Sequence, residues 1–517
     1  MKAKGAIAAG HPETARAAAI ILEEGGNAFD AALAGLCAAG MAEPVLTSLG
    51  GGGFLLARTE MSETTLYDFF VQTPKSRKDD LDFFPIMVDF GTAQQEFHIG
   101  RGSIATPGTV KGMFRVHEDL GSMPMTRIVE PAVALAKEGV AINRLQGYIF
   151  EVVEKIYNSN EACRAIFASP KNPSKLIGEG ETIRNHDYAD ALQSLALEGE
   201  DLFYKGEIAR QAAEDCLAGG GTLTMEDLDD YRVVLRKPLE IEYATARLYA
   251  NPPPSTGGIL IAFALEMLKG TGLGALNFGT REHLERLALV MELTNKARVE
   301  SCLHEADETE AAGGLLDPGF LEIYRRQVLG RPSALRGTTH INVIDAKGNA
   351  ASLSLSNGEG SAYIVPGTGI MLNNMLGEED INPHGFHQWP ADVRMCSMMS
   401  PTLMAETGGA ILAVGSGGSN RIRTAILQVL LNLLEFKMPV ADAVASPRIH
   451  FEGGLLSIED GFNEDEVSAI QRKFPEAEVW GEINLFFGGV HSVRFDPGQG
   501  RFEGAGDSRR GGVSLTV

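Results

Sequence analysis

The pattern of hydrophobic and polar positions near the start of the chain predicts two consecutive helices. Apolar residues recur at helical spacing from Pro12 to Glu24, and Gly25-Gly26 then ends the first helix. Asn27 is a preferred helix-capping residue, and it opens a second, alanine-rich run that continues to Met41. Helix and strand signals alternate along the rest of the chain. This alternation favours a layered α/β protein over a helical bundle or an all-β sandwich.

The pattern in the last third of the chain predicts strands joined as hairpins. A loop-rich stretch at 311–333 is followed by a strand-like run at 340–345. After a short turn, residues 350–356 alternate apolar and hydroxyl side chains with a period of two. We therefore expect a hairpin whose return strand is buried on one face and presents hydroxyl groups, Ser356 among them, on the other. A further hairpin at 490–501 closes the chain.

Composition and charge narrow the range of functions. The 517 residues, of which 44% are hydrophobic, suffice for a large core in one α/β domain or in two to three smaller ones. The 45 basic and 68 acidic residues give a net charge of −23 at pH 7. Because this charge repels phosphate backbones and anionic lipid head groups, we expect neither nucleic acid nor a membrane surface as partner.

The cysteine pattern and the length of the apolar stretches predict the cellular compartment of the protein. Five cysteines are scattered without a C-x-x-C pair or a histidine cluster, which argues against a zinc site and favours a reducing environment. The first residues lack the apolar region of a signal peptide. The longest weakly polar stretch, 28–41, is too short to span a bilayer. We expect a soluble, cytoplasmic protein.

Gly337-Thr338 lies where the loop-rich stretch meets the first strand of the hairpin, and it could carry nucleophilic chemistry. At a chain N-terminus, the α-amine of a threonine can act as general base for its own hydroxyl. Glycine at 337 leaves the path of attack open, so Thr338 could attack the Gly337 carbonyl and release itself. From these residues alone, the alternative is an ordinary hydroxyl residue that opens a strand. His340 could lie beside Thr338 or in the core.

A glycine-rich loop at 415–420 precedes the helical run 421–434 and could form an oxyanion hole. Such a hole needs backbone N–H groups aimed at the developing negative charge, and glycine allows the chain to approach closely. A phosphate-binding loop and a plain turn before a helix are the alternatives. The loop lacks the Gly-Lys-Ser/Thr sequence of a phosphate-binding loop.

Motifs spread over nearly the whole chain resemble, in the same order, those of the γ-glutamyltransferase (γ-glutamyl transpeptidase) family. In the first two thirds of the chain they are GGNAFDAA at 25–32, EP at 43–44, GGGGF at 50–54, TPGTV at 106–110 and PPPSTGG at 252–258. In the last third they are TTH at 338–340, GNA at 348–350, GIMLNN at 369–374, SPT at 400–402 and DSR at 507–509. So many collinear motifs are far more specific than any one of them.

The resemblance implies an N-terminal-nucleophile hydrolase with a four-layer αββα sandwich. Such a protein is made as one precursor and cut before its nucleophilic threonine, here Thr338. The cut would give a large segment, 1–337, and a small segment, 338–517, that stay together as one intertwined domain. The family's second hydroxyl, which hydrogen-bonds the nucleophile, falls on Ser356. Its oxyanion loop falls on Gly417, Gly418 and Ser419, and Asn357 is a further candidate for binding substrate.

The chain departs from the family where the substrate's α-carboxylate and α-amino group are held. Phe70 stands where an arginine grips the carboxylate in γ-glutamyl transpeptidases. Of a serine pair near the same carboxylate, Ser397 is kept and the second serine is replaced by Met398. After Asn374, the position that is polar in the family is apolar here and the acidic residues are shifted along the chain. Three acidic residues could hold the substrate's ammonium group: Glu378, Glu379 and Asp380. The alternative is that they are charges of a solvated loop.

These residues predict a γ-glutamyltransferase-like threonine hydrolase or acyltransferase that needs no metal and no cofactor. It would cut itself before Thr338 and then cleave γ-glutamyl or related acyl amides, glutathione-type compounds among them, through an acyl-enzyme. Its partners would be a small-molecule amide and water or an amine acceptor, and a homodimer is left open. One alternative is an amidase of the cephalosporin-acylase type with a non-glutamyl acyl group. Another is a catalytically silent binding homologue.

Overall fold

The computed structural model describes residues 2–89, 94–300, 337–382 and 385–517 of the chain. The loop-rich stretch predicted at 311–333 lies outside these described residues. Among the described residues, no helix combines the length and the apolar character needed to cross a bilayer.

The strands form two large sheets and several small ones. In chain order they are β1 (Gly5–Ala9), β2 (Gly52–Arg58), β3 (Thr64–Phe69), β4 (Phe84–Asp89), β5 (Gln94–Ile99), β6 (Val140–Ala141), β7 (Thr182–Ile183), β8 (Val234–Arg236), β9 (Leu239–Tyr243), β10 (Ala246–Ala250), β11 (Thr339–Asp345), β12 (Ala350–Ser356), β13 (Ile364–Val365), β14 (Ile370–Met371), β15 (Thr402–Glu406), β16 (Ile411–Gly417), β17 (Ile449–Glu452), β18 (Leu455–Ile458), β19 (Glu478–Val479), β20 (Gly489–Asp496), β21 (Arg501–Ala505) and β22 (Val513–Thr516).

The helices of the described residues fall into an early and a late group. In chain order they are α1 (Pro12–Glu23), α2 (Ala28–Ala42), α3 (Thr109–Leu120), α4 (Met125–Glu138), α5 (Arg144–Val152), α6 (Glu154–Tyr157), α7 (Glu161–Phe167), α8 (His186–Glu198), α9 (Asp201–Tyr204), α10 (Glu207–Ala218), α11 (Met225–Asp230), α12 (Gly257–Leu268), α13 (Arg281–Glu300), α14 (Arg421–Leu434), α15 (Val440–Ala445) and α16 (Glu464–Gln471).

Two antiparallel sheets form the centre of the molecule. The first runs in the order β22-β1-β11-β12-β2-β3-β8, and the second in the order β21-β20-β16-β15-β10-β9. In the first sheet, β1 pairs with β11 on one side and with β22 on the other. Strands from before and after residue 337 are therefore hydrogen-bonded to each other in the same sheet, so the two stretches of chain share one core.

The two sheets lie face to face and helices cover their outer surfaces, as strand β1 illustrates. Its residues alternate between two cores: Ile7 and Ala9 pack with the early helices, whereas Ala6 and Ala8 pack toward the second sheet. Helices α12 and α14 cover the other side of the second sheet. The layers are therefore helix, sheet, sheet and helix, which confirms the predicted four-layer αββα sandwich.

The hairpin predicted in the last third of the chain is confirmed as β11 and β12. These strands are antiparallel, with Thr339 opposite Leu355. The expectation that only one face of the return strand is buried is wrong, because β12 is buried on both faces. The second sheet covers the hydroxyl face, where Ser352 lies against the Val414 carbonyl of β16. Alternation marks the two faces of a strand, but it does not show that a second sheet covers the polar one.

Helix α2 is tied to both ends of β11 and so fixes the strand that begins next to Thr338. As predicted, Asn27 caps the helix. At this end, the backbone N–H of Ala28 donates to the Asp345 carboxylate at 3.1 Å. At the far end, the Thr339 hydroxyl donates to the Glu43 carboxylate at 2.7 Å. Burial raises the pKa of the Glu43 carboxyl.

Candidate active site

Thr338 and Ser356 lie side by side at one end of the central hairpin. The pairing of Thr339 with Leu355 brings these neighbouring residues together. The Thr338 hydroxyl donates to the carbonyl oxygen of Gly337 at 2.7 Å, and the Ser356 hydroxyl donates to the same oxygen at 2.8 Å. Both side chains are 5% exposed. Two buried hydroxyl groups therefore converge on the carbonyl of the peptide bond between Gly337 and Thr338.

The nitrogen side of Gly337 is held by a residue that the sequence did not single out. The backbone N–H of Gly337 donates to Oε1 of Glu359 at 3.1 Å. Glu359 follows β12 by three residues and is buried. Nothing in the sequence pattern distinguishes it from a charged turn residue, because its contact depends on how the chain turns after the strand.

The glycine-rich segment predicted as a loop at 415–420 is in its first half the end of β16, and only 418–420 form the turn before α14; the segment touches the residue predicted to be the nucleophile. A side-chain carbon at Gly417 would collide with the carbonyl oxygen of Thr338, so only glycine allows this approach. The next two residues are left-handed, with φ of 118° at Gly418 and 52° at Ser419. A left-handed serine is uncommon. The loop thus turns sharply beside Thr338, just before a helix N-terminus.

A small pocket opens onto these groups. Its polar lining comes from hydroxyl groups and one carboxylate, that of Glu378. Its apolar lining is unusually rich in methionine. The complete lining is Phe70, Gly337, Thr338, Ser356, Met375, Glu378, Ile381, Ser397, Met398, Met399, Ser419 and Ile422. No arginine or lysine is among these described residues.

Phe70 forms one wall of the pocket, and its backbone is firmly held. Its ring stacks on Phe54 with 5.4 Å between the ring centroids. Its N–H donates to the Asp68 carboxylate at 3.0 Å, and its carbonyl accepts the Tyr231 hydroxyl at 2.6 Å and a guanidinium N–H of Arg394. Arg394 also lies 3.6 Å from the fully buried Asp68 carboxylate. Arg394 therefore binds the backbone of Phe70 and the Asp68 carboxylate, and it does not line the pocket.

Of the remaining residues predicted to bind substrate, some line the pocket and others do not. Ser397 and Ser419 line the pocket. Asn357 is fully buried beside Gly51, outside the lining, and its amide group has no hydrogen-bond partner among the described residues. Glu379 is exposed and lies outside the lining, whereas its neighbour Glu378 lines the pocket. The side chain of Asp380 lies outside the described residues.

His340 belongs to the core between the two sheets. Its Nδ1 is 2.8 Å from the Ser354 hydroxyl and its Nε2 is 3.0 Å from Oδ1 of Asn342. Burial, reinforced by nearby His491, lowers the pKa of His340 to about 3. It is absent from the pocket lining. Among the described residues, no group of three or more His, Cys, Asp or Glu side chains is arranged to hold a metal ion.

Comparison with known proteins shows which family the chain belongs to. The sequence profile described as gamma-glutamyltranspeptidase matches residues 14–517. The chain belongs to the gamma-glutamyltranspeptidase family. It is therefore an enzyme of the N-terminal-nucleophile hydrolase class, of the hydrolase and acyltransferase type.

Relatives in this family carry two kinds of name. The glutathione hydrolase proenzyme of Escherichia coli (strain K12) is 31% identical, in an alignment that covers 95% of this chain and 87% of that protein. The acylase ACY 1 proenzyme of Pseudomonas sp. (strain V22) is 28% identical, covering 99% of this chain and 94% of that protein. The crystal structure of cephalosporin acylase from Bacillus halodurans has the same fold, with a TM-score of 0.84, 23% identity and coverage of 99% and 96%.

Proposed function

We propose that this protein cuts its own chain between Gly337 and Thr338 and then uses the Thr338 hydroxyl to cleave small-molecule acyl amides. The observation that carries the proposal is the convergence of the Thr338 and Ser356 hydroxyls on the Gly337 carbonyl oxygen, at 2.7 and 2.8 Å. Membership of the gamma-glutamyltranspeptidase family supports it. The names of two relatives, both called proenzymes, support the self-cleavage.

Self-cleavage proceeds in two steps. The Thr338 oxygen adds to the carbonyl carbon of Gly337, and the bond from that carbon to the Thr338 nitrogen breaks. The proton lost by the hydroxyl ends on this nitrogen, which becomes the α-amine. Water then hydrolyses the resulting ester, leaving a carboxylate on Gly337 and a free hydroxyl on Thr338. Ser356, which donates to the carbonyl oxygen, stabilises the negative charge that develops there.

Turnover of substrate reuses the same groups. The α-amine of Thr338 takes the proton from its own hydroxyl as the oxygen attacks the substrate amide. The leaving amine departs with a proton, and the acyl group stays on Thr338 as an ester. Ser356 orients the nucleophile, and the backbone of Gly417, Gly418 and Ser419 stabilises the oxyanion. Water or an acceptor amine then releases the acyl group. The segments 1–337 and 338–517 stay associated through their shared sheets.

The pocket favours an acyl group that lacks an α-carboxylate. Phe70 and Met398 make the pocket wall apolar where a substrate carboxylate would need a cation. Among the described residues that line the pocket, Glu378 is the only one with a charged side chain. Losing a charge-assisted contact costs a carboxylate ligand about 1.5–3 kcal/mol. These residues favour an amidase of the acylase type over a glutathione hydrolase.

Electrophoresis and mass spectrometry test whether the chain cuts itself. We expect the 55.3 kDa chain to give pieces of 337 and 180 residues (517 − 337 = 180), the second beginning with Thr338. Thr338→Ala should stay intact, whereas Thr338→Ser, which keeps a hydroxyl, should still be cut. An intact wild-type chain under all conditions would instead favour a silent binding homologue.

Four anilides that differ only in their charged groups test the acyl preference. They are γ-glutamyl, which carries both the ammonium and the carboxylate, 4-aminobutyryl, which carries the ammonium alone, glutaryl, which carries the carboxylate alone, and butyryl, which carries neither. We expect the highest kcat/KM for an acyl group without the carboxylate. A γ-glutamyl or glutaryl anilide with the highest kcat/KM of the four would contradict this preference.

A further inference from the structure

Glu359 and Ser356 hold the two polar atoms of the same glycine. The Ser356 hydroxyl binds the carbonyl oxygen of Gly337, and Oε1 of Glu359 accepts its backbone N–H at 3.1 Å. Glu359 is 3% exposed. Gly337 is also confined sterically, because a side-chain carbon there would lie 3.0 Å from the Gly358 carbonyl oxygen. The residue on the acyl side of the bond between Gly337 and Thr338 is thus fixed at both ends.

The backbone that carries Glu359 is itself anchored. Oδ1 of Asn374 accepts the N–H of Glu359 at 2.9 Å and the N–H of Gly360 at 3.2 Å. Asn374 is fully buried, and its amide group donates to the His98 carbonyl. This turn has two left-handed glycines, Gly358 and Gly360. The Glu359 carboxylate is therefore presented to Gly337 by a defined turn.

We infer that Glu359 is a positioning residue for self-cleavage and takes no part in substrate turnover. The inference rests on the proposed self-cleavage. With its N–H bound by Glu359 and its oxygen bound by Ser356, Gly337 has both flanking peptide groups held, so its carbonyl group is kept in one orientation relative to the Thr338 oxygen. Holding reacting groups in such an arrangement accelerates an intramolecular step.

Self-cleavage should depend on Glu359 and substrate turnover should not, because Gly337 takes part only in self-cleavage. In self-cleavage Gly337 supplies the acyl group, and its N–H must be held while the Thr338 oxygen attacks. Once the ester is hydrolysed, Gly337 is the end of the large segment and is no longer bonded to Thr338. A substrate has no Gly337 N–H to present. Loss of Glu359 should therefore slow processing and spare the processed enzyme.

The test compares Glu359→Ala with Glu359→Gln, whose amide oxygen can still accept the N–H. Full-length chains are made by cell-free translation, synthesis is stopped, and the disappearance of precursor is followed by denaturing electrophoresis. We expect Glu359→Ala to slow cleavage by about tenfold to a hundredfold, and Glu359→Gln to stay within about fivefold of wild type. The control is Glu138→Ala, which alters an exposed carboxylate at the end of α4.

A second measurement separates positioning from a role in substrate turnover. The fraction of Glu359→Ala that has been cut is purified and assayed with whichever of the four anilides wild type cleaves fastest. We expect its kcat and KM to lie within about twofold of wild type. Cleavage at the wild-type rate, or an equal loss of kcat/KM in the processed enzyme, would overturn the inference. So would a Glu359→Gln chain that cleaves as slowly as Glu359→Ala.

A third measurement, made on chains that cannot cleave themselves, tests whether Glu359→Ala destabilises the fold. Thermal unfolding of Thr338→Ala is compared with that of Thr338→Ala combined with Glu359→Ala. We expect melting temperatures within about 1 °C of each other, because about 1 kcal/mol shifts the melting temperature of a chain of this length by about that much; a larger fall would assign Glu359 a structural role and overturn the inference. A wild-type chain that never cleaves would contradict the proposed function itself. Cleavage of wild type and Glu359→Ala at one rate would contradict only the inference on Glu359.

Discussion

The Ser356 hydroxyl donates to the carbonyl oxygen of Gly337 at 2.8 Å, so a side chain of one strand stabilises the oxygen where negative charge would develop during self-cleavage. We predict that Ser356→Ala slows self-cleavage by about a hundredfold, the usual cost of losing one oxyanion donor. Precursor decay on denaturing gels measures the effect. Ser354→Ala is the matched control, because that hydroxyl lies on the same strand and binds His340 instead. Equal rates for both variants would contradict the prediction.

The approach of Gly417 to Thr338 gives a second prediction. Gly417→Ala would place a methyl group against the Thr338 carbonyl oxygen and displace the nucleophile. Because a misplacement of about 1 Å can cost a hundredfold in rate, we expect losses of that order in both self-cleavage and anilide hydrolysis. Gly408→Ala is the control: it lies in the turn before β16, where a methyl group meets no atom within 4 Å. A Gly417→Ala enzyme of normal activity would contradict this prediction, since it would show that the end of β16 can shift to accommodate the methyl group.

The sequence predicted the elements that carry the site because their signals are local. Capping at Asn27 and period-two alternation at 350–356 depend only on neighbouring residues, and the structure confirms the α2 start and the β12 strand. The pairing of Thr338 with Ser356 followed from the hairpin. The cleavage position, the segments 1–337 and 338–517, the cytoplasmic location and the homodimer stay predictions.

The residues that the sequence did not assign are those whose roles depend on distant parts of the chain. The contact of Glu359 with Gly337 arises from a turn held by Asn374, and no local pattern encodes it. The sequence left the acidic residues at 378–380 undecided because neighbouring side chains in a short turn point in different directions. Of these, Glu378 lines the pocket and Glu379 is exposed.

Phe70 gives a prediction about the carboxylate. Phe70→Arg would place a guanidinium in the wall of the pocket that Ser397 also lines. Such a charge-assisted contact should raise kcat/KM for γ-glutamyl anilide relative to 4-aminobutyryl anilide by about tenfold or more. The ratio is the proper readout, because Phe70 is 1% exposed and a buried charge also affects folding. Phe70→Leu serves as control. An unchanged ratio would show that the substrate's carboxylate lies elsewhere.

Glu378 gives the complementary prediction about the ammonium group. Its carboxylate is the only charged group of the described pocket lining, so Glu378→Gln should raise KM for 4-aminobutyryl and γ-glutamyl anilides. The expected rise is about tenfold, the cost of losing a charge-assisted hydrogen bond. Butyryl anilide has no ammonium and serves as the internal control. A parallel rise for butyryl anilide would indicate that the pocket has changed shape and would contradict a role in cation binding.

His340 gives a prediction about pH. Its pKa is lowered from 6.5 to about 3 by burial, so between these values the unfolded chain binds a proton that the folded chain does not. The free energy of unfolding should therefore fall as pH is lowered through this window, by about 1.4 kcal/mol per pH unit for this histidine. Urea unfolding of the Thr338→Ala chain, with and without His340→Gln, isolates the contribution, since buried His450 and His491 remain in both.

The same lowered pKa determines how His340 bears on catalysis. Since it stays neutral well below neutral pH and lies between the sheets, it contributes no ionisation to the pH dependence of kcat/KM near neutrality. We predict that His340→Gln leaves the shape of that profile unchanged, while the slope of unfolding free energy against pH falls. A His340→Gln enzyme that lost an ionisation from its activity profile would assign His340 to proton transfer. The α-amine of Thr338 would then no longer suffice as the base.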